Sequence, residues 1–453
     1  MQFLRTLPLF AVLALFAGPI AAQTTERVLA NGLKVIVIED HRAPTVAQMV
    51  WYRAGSIDEV NGKTGVAHVL EHMMFKGTKT IGPGEFSRRV AAMGGRENAF
   101  TSRDYTGYYQ QIHKSRLAEA MALESDRMAN LVLSDDEFGR EIKVVMEERR
   151  LRTEDNAQSL VYEELMAAAF IASPTRRPVV GWMNDLEAMT AGDAREWYHN
   201  WYAPNNALLI VAGDVQPDEV FQLAEQTYGK IPSSALPTRK PQIEPAQRGV
   251  RRQWVKAPAK NPYLLMGFRV PKLDDVEKDS DPYALEVLSS VLDLDENGRL
   301  TRSVVRGSRV ADRAGSGYDM TSRGPTLFLL TGTPAEGKTT DELERALRDE
   351  IRRIAEQGVG EAELRRVKAQ YVADRVYKRD SVFGQAMEAA GLEVLGFSYR
   401  DADRILDRIR AITAEQVQAV ARKYFDDDSL TVVALLPQPL DKAPAKPAPG
   451  MRH

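Results

Sequence analysis

Two histidines stand four residues apart, with a glutamate directly before the second, in a chain that has six histidines and no cysteine. On a helix, residues i and i+4 share a face, so His68 and His72 could bind one metal ion through their imidazole nitrogens. Glu71 lies beside that position, where its carboxylate could accept a proton from a water at the metal. The segment therefore predicts a metal centre that activates water for hydrolysis.

The alternative is a buried helix that happens to carry polar residues, and the apolar pattern of the segment argues against it. Apolar residues between Gly65 and Gly77 recur at helical spacing and predict the buried face: Val66, Val69, Leu70 and Met73. Successive residues of a helix are rotated by about 100°, which places the two histidines and Glu71 on the opposite side. These polar residues are therefore not part of the predicted core.

Two histidines do not complete a catalytic zinc site, which usually takes three protein ligands and leaves one position for water. The segment 134–155 predicts a long helix without a breaker, and it carries three candidate glutamates. Glu141 and Glu148 are seven residues apart and therefore lie on one face, whereas Glu147 points about 100° away. Spacing alone does not select the ligand among the three.

The composition of the chain indicates an ordinary globular protein. Its 453 residues are 44% hydrophobic and 27% charged, which is long and apolar enough for two or three domains with their own cores. The 60 basic residues nearly balance the 63 acidic ones, so the formal net charge is -3. This balance gives no electrostatic reason to expect nucleic acid or an anionic membrane surface as a partner.

The first 22 residues read as a secretory signal peptide. Arg5 precedes an apolar run over residues 7–16, and small residues lead to a predicted cleavage after Ala22. The run is shorter than the roughly 18 apolar residues that a membrane span needs, so we expect no integral membrane segment. Export together with the absence of cysteine favours a periplasmic or secreted protein.

The remaining chain divides into two similar halves joined by a proline-rich stretch. Asn31-Gly32 predicts a β-hairpin, and the segments 189–215 and 412–437 share one pattern of acidic helix start, aromatic residue, polar turn and apolar strand. The expected parts are a zinc-bearing domain (23–235), a linker (236–249), a second domain of the same fold (250–437) and a disordered tail (438–453). The predicted fold class is α+β, with two homologous domains that each contain a mostly antiparallel sheet with helices packed on one face.

The chain resembles the pitrilysin/insulinase-type zinc metallopeptidases, whose inverted zinc motif is HxxEH. The resemblance is to the half-length form similar to the mitochondrial processing peptidase beta subunit and its bacterial relatives. Blocks that carry it follow in family order: NGLKVIVIED, AGSIDE, HVLEHMMFKGT, GGRENAFTSRDYTGYY, RRPVVGW and WYAPNNALLIVAGDV. It implies one Zn²⁺ per chain, with Glu148 as the third ligand and Glu141 as a supporting group.

The resemblance also implies a strand that binds the substrate. Asn98, Ala99, Phe100 and Thr101 are similar to the edge strand that pairs with an extended peptide in this family. A short edge strand offers backbone groups for β-augmentation, which binds peptides with little regard to their side chains. The alternative is an ordinary edge strand without a binding role.

One feature of the family is missing from the chain. Its members hold the substrate carbonyl with an Arg and a Tyr seven residues apart, but no such pair occurs in the corresponding stretch 297–318. The resemblance then implies a heterodimer with a homologous subunit that supplies the pair. The expected function is an exported zinc-dependent endopeptidase that cleaves flexible peptides, and the alternative is a non-catalytic subunit that binds metal or peptide.

Overall fold

The computed structural model of the protein describes residues 24–440. The predicted signal peptide and residues 441–453 of the predicted tail lie outside the described residues. The first sheet contains β1 (Thr24–Val28), β2 (Lys34–Glu39), β3 (Thr45–Tyr52), β4 (Arg96–Thr101), β5 (Thr106–His113) and β6 (Ala207–Gly213). The second sheet contains β7 (Arg251–Pro258), β8 (Tyr263–Val270), β9 (Ala311–Tyr318), β10 (Thr326–Pro334) and β11 (Leu430–Gln438).

The two sheets share one topology. Their strand orders are β1-β2-β6-β3-β5-β4 and β7-β11-β8-β10-β9, so the second order repeats the first without β1. The neighbouring pairs β2–β6 and β7–β11 are parallel, and all the other neighbouring pairs are antiparallel. The predicted fold class of two homologous, mostly antiparallel domains is therefore confirmed.

With one exception in each half, the helices of each half lie on one face of their own sheet. The first half contains α1 (Val66–Met73), α2 (Glu85–Ala92), α3 (Leu117–Asn130), α4 (Asp135–Arg149), α5 (Ala157–Ala169), α6 (Met183–Ala188), α7 (Ala191–Trp201) and α8 (Pro217–Gln226). The second contains α9 (Asp281–Asp293), α10 (Thr340–Gln357), α11 (Glu361–Lys378), α12 (Val382–Val394), α13 (Asp401–Ala411) and α14 (Ala414–Lys423). Among residues 24–440, no helix combines the length and the apolarity that a bilayer crossing requires.

The other face of each sheet is covered by a helix from the opposite half of the chain. Ala386, Ala389 and Ala390 of α12 pack against apolar residues of β2, β3 and β6 in the first sheet. Leu165 and Met166 of α5 pack in the same way against β8, β10 and β11 of the second sheet. The two halves therefore exchange helices, which the sequence analysis did not predict.

The predicted hairpin and linker have simple physical bases. Gly32 adopts a left-handed φ of 87° in the turn between β1 and β2, and a Cβ there would lie 2.9 Å from Asn205. Residues 232–248 contain no helix or strand and carry four prolines, which lack the N–H that regular structure needs. This stretch runs from the first half of the chain to β7.

A buried ion pair joins the two halves next to the loop that leads into α1. Arg323, in the turn between β9 and β10, donates to both carboxylate oxygens of Asp58 at 2.8 and 2.9 Å, and Arg239 of the linker donates to Asp58 at 2.6 Å. Only 3% of the Asp58 side chain is exposed, so it depends on these cations. Burial alone would raise the pKa of Asp58, but the two arginines outweigh burial and lower it.

We predict that Arg323→Gln lowers the free energy of unfolding by about 2 to 3 kcal/mol at pH 7, because it leaves a buried carboxylate with one partly exposed arginine. A carboxyl group with a lowered folded pKa stabilises the fold above its unfolded pKa, and this stabilisation is lost as the pH falls through the folded pKa. The deficit of the variant should therefore shrink toward about pH 3. Urea unfolding of the wild type and of Arg323→Gln between pH 7 and about pH 3 measures this difference in the free energy of unfolding.

The matched control is Arg306→Gln, which removes an exposed ion pair with Glu296. Exposed pairs contribute little, so we expect a change within about 0.5 kcal/mol. An equal loss of stability in the two variants would contradict the role assigned to Arg323.

Candidate metal centre

The N-terminus of α1 is held by groups from two loops. Gly65 has a left-handed φ of 88°, and a Cβ there would lie 2.5 Å from the carbonyl oxygen of Val180. The buried carboxylate of Glu59 accepts hydrogen bonds from the N–H groups of Gly65 and Ala67 at 2.9 and 3.0 Å. This carboxylate satisfies two N–H groups that have no partner within the helix. The start and direction of α1 are therefore fixed.

One face of α1 is apolar and the other is polar, as the sequence predicts. The apolar residues at helical spacing are buried in the core of the first domain: Val66, Val69, Leu70 and Met73. His68, Glu71 and His72 lie on the other face and keep a small exposed fraction, 11% for the His68 side chain and 10% for that of His72. This polar face points toward α4, the helix predicted to carry the third ligand.

Three candidate ligand atoms converge between α1 and α4. His68, His72 and Glu148 each offer one atom, and these atoms all lie within 4.8 Å of one another. The Glu148 Oε2 is 3.2 Å from His72 Nε2 and 3.7 Å from His68 Nε2. Tetrahedral zinc ligands about 2.0 to 2.1 Å from the ion lie about 3.3 to 3.4 Å apart. Among residues 24–440 this is the only such cluster, and its donor set fits zinc.

The three other glutamates that the sequence singles out lie at different positions around the cluster or away from it. Glu141 Oε1 lies 2.9 Å from His72 Nδ1, on the far side of the imidazole from Glu148. Glu147 is exposed and pairs with Arg150 at 3.2 Å. Glu71 lies beside the histidines on α1. The structure thus distinguishes Glu148 from Glu141 and Glu147, the three glutamates of α4 that spacing could not rank.

Two charged residues that the sequence analysis missed hold the glutamates of α4. Lys76 Nζ lies 2.5 Å from Glu141 Oε2, and Arg152 donates to Glu148 Oε1 at 2.7 Å. Arg152 lies in a π-helical turn, residues 150–154, that follows α4. Arg152 is four residues after Glu148, so the i, i+4 rule could have identified it, whereas the contact of Lys76 with Glu141 joins two distant segments.

Burial and the neighbouring charges shift the pKa values of the residues at this site. Burial lowers the pKa of His68 to about 4, and the neighbouring His72 adds to this effect. Burial alone would lower the pKa of His72 as well, but Glu141 and Glu148 outweigh it and raise that pKa to about 9. Burial raises the pKa of Glu71, which makes its carboxylate a stronger proton acceptor.

The predicted substrate strand lies beside Glu71. β4 is the last strand of the first sheet and pairs only with β5, so its other edge has no strand partner among the described residues. Ala99 faces the core beneath α1, Phe100 packs on the opposite face against Trp51, and Asn98 is exposed. Thr101 donates a hydrogen bond to Glu71 Oε2 at 2.5 Å. The strand, the carboxylate and the histidines are therefore contiguous.

The second domain has a matching helix pair without the ligands. α9 and α11 take the places of α1 and α4 in the repeated topology. Glu71 is the sixth residue of α1, and the sixth residue of α9 is Glu286. Counted from the first residue of each helix, Tyr283 and Val287 stand at the positions of His68 and His72, and residues 250–437 contain no histidine. The second domain therefore lacks this metal site.

The stretch 297–318 engages groups of the second domain. Arg302 pairs with Glu363 at 2.8 Å, and the Tyr318 hydroxyl donates to the Pro271 carbonyl at 2.6 Å. No arginine in the stretch has a tyrosine seven residues later. The structure thus offers no replacement for the missing pair in this stretch.

Two protein-family models match separate regions of the chain. Residues 34–181 match the model described as insulinase (peptidase family M16), and residues 188–371 match the model described as peptidase M16 inactive domain. The first match includes His68, His72 and Glu148. The second includes Tyr283 and Val287, so the description "inactive" agrees with the missing ligands.

Individual relatives cover nearly the whole chain. The zinc protease PqqE of Helicobacter pylori is 30% identical over 418 residues, which cover 90% of this chain and 92% of that protein. A probable mitochondrial-processing peptidase subunit beta of Arabidopsis thaliana is 26% identical over 449 residues, which cover 92% of this chain and 79% of that protein. The crystal structure of a protease from H. pylori matches with a TM-score of 0.87 and 28% identity, covering 92% of this chain and 100% of that one. The chain belongs to the insulinase family of peptidases, family M16.

Proposed function

We propose that the protein is an exported zinc-dependent endopeptidase that cleaves flexible peptides. His68, His72 and Glu148 hold one zinc ion per chain, Glu71 is the general base, and the edge of β4 binds the substrate backbone. The observation that carries this proposal is the convergence of three ligand atoms within 4.8 Å beside a carboxylate and an edge strand. Zinc proteases among the relatives support the choice of metal.

The residues of the site have complementary roles in peptide hydrolysis. When bound, zinc supplies Lewis-acid polarisation of water and of the substrate carbonyl. Glu71 takes a proton from the attacking water and delivers it to the leaving amine. Glu141 accepts a hydrogen bond from the Nδ1–H of His72 and so keeps Nε2 directed at the ligand cluster. The ligand side chains are 10% to 14% exposed, so water can reach them.

The edge of β4 suits a substrate in extended conformation. A peptide that adds to this edge forms main-chain hydrogen bonds, which depend little on its sequence. Thr101 lies at the end of the strand beside Glu71, so such a peptide passes next to the base. Flexible peptides and unfolded segments are therefore the proposed substrates, because a segment must be extended and have free backbone groups to add to this edge.

The proposed enzyme has two chains. The second chain, the partner of this chain, is a homologous subunit that supplies the Arg and Tyr missing from residues 297–318. The predicted signal sequence supports a periplasmic or secreted location for the complex.

We predict that Glu71→Gln keeps zinc but lowers turnover by about 10²- to 10⁴-fold, because an amide cannot accept the proton. His68→Ala should lose both zinc and activity, since it removes a ligand. Zinc content by metal analysis and hydrolysis of a quenched flexible peptide check both variants. A Glu71→Gln protein with a near-normal rate would remove this base from the mechanism. Bound zinc without hydrolysis in the assembled wild type would instead support a non-catalytic, metal-binding subunit.

We predict that Glu141→Gln weakens zinc binding by about 10- to 100-fold, because the charged partner of His72 is lost. Competition with a chelator measures the affinity. Glu147→Gln is the matched control, as Glu147 lies on the same helix next to Glu148 but faces solvent. Equal effects of the two substitutions would contradict the supporting role of Glu141.

We predict that the zinc-loaded chain 23–453 alone hydrolyses the peptide no faster than its Glu71→Gln variant. Addition of the homologous subunit should restore cleavage, because the partner supplies the groups that hold the substrate carbonyl. Cleavage by the chain alone would make it a self-sufficient peptidase and would disprove the need for a partner.

A further inference from the structure

The general base has one hydrogen-bond partner among the described residues, and that partner lies on the substrate strand. Thr101 Oγ1 donates to Glu71 Oε2 at 2.5 Å. The other acidic groups of the site have different partners: Lys76 holds Glu141 and Arg152 holds Glu148. The orientation of the Glu71 carboxylate is therefore tied to β4 rather than to α4.

A glutamate side chain needs such a contact to keep one orientation. It has three rotatable bonds, and a carboxylate that must deliver a proton has to stay within hydrogen-bond reach of the reacting atoms. Small displacements of a catalytic group cost large factors in rate. A hydroxyl that donates to one carboxylate oxygen fixes the rotation and leaves the second oxygen available to the water.

The location of Thr101 gives the contact a second consequence. Thr101 is the last residue of β4, opposite Thr106 of β5 in the register, and Phe100 before it points to the other face of the sheet. A peptide that adds to β4 is therefore aligned by the same backbone that carries the Thr101 hydroxyl. The position of the substrate and the position of the base are therefore both set by β4.

We propose that Thr101 is a positioning residue that holds the Glu71 carboxylate at a fixed position relative to the bound peptide. This inference rests on the proposed peptidase function and adds a residue to it. Valine has nearly the shape of threonine and favours strands, so Thr101→Val removes the hydroxyl and preserves β4. Thr101→Ser keeps the hydroxyl and removes only a methyl group.

The test compares peptide hydrolysis and zinc affinity in the assembled enzyme. Thr101→Val should lower kcat by about 10- to 100-fold, as expected for loss of a hydrogen bond to a charged group, with KM changed less than about threefold. Zinc affinity by chelator competition should remain within about twofold of the wild type. Thr101→Ser should restore kcat to within about threefold of the wild type.

The control lies at the opposite edge of the same sheet. Thr25 of β1 has a buried hydroxyl without a hydrogen-bond partner among the described residues, so Thr25→Val should leave kcat, KM and zinc affinity unchanged. A wild-type kcat in Thr101→Val would overturn the inference. A parallel loss of zinc affinity and kcat would also overturn it, because it would indicate a general structural role.

A double-mutant cycle tests the contact without any activity measurement. Thr101→Val should destabilise the wild type in urea but have a smaller effect in a Glu71→Ala background, because the partner is already absent. Equal effects in both backgrounds would overturn the inference. An assembled wild type that fails to cleave, with a coupled Thr101–Glu71 pair, would instead overturn the proposed function on which the inference rests.

Discussion

The packing of α1 against α4 is the contact on which the candidate metal centre depends, because each helix carries only part of the candidate ligand set. α1 supplies two imidazoles within one turn and α4 supplies the carboxylate of Glu148. Leu70 of α1 and Val145 of α4 belong to the same apolar core, which fixes the distance between the helices. Polar groups at such an interface need partners, and Lys76 and Arg152 provide them.

The parts of the site that could be predicted from sequence are those with local signals. The apolar stripe of α1 separates buried from polar residues within eight positions, so the face carrying His68, Glu71 and His72 follows from periodicity. The Asn31-Gly32 turn and the repeated strand patterns indicate the two sheets in the same way. The i, i+4 position of Arg152 relative to Glu148 is an equally local signal.

Features that depend on packing between distant segments could not be predicted from spacing. Glu141, Glu147 and Glu148 are equivalent candidates until α1 is placed against α4, and the resemblance to a family rather than the helix period favoured Glu148. The contact between Thr101 and Glu71 joins residues 30 positions apart on different elements. An apolar stripe also does not say which sheet it covers, so the positions of α5 and α12 on the opposite sheets remained hidden.

The exchange of helices determines when the first half of the chain can become complete during synthesis. β2, β3 and β6 are made early, but the helix that covers their second face, residues 382–394, is among the last segments to leave the ribosome. Until then Ile36, Met49 and Ile210 have no cover on that side, and exposed apolar strands are prone to aggregate. This apolar face of the first sheet is therefore still exposed in the nascent chain until the C-terminal helices are available.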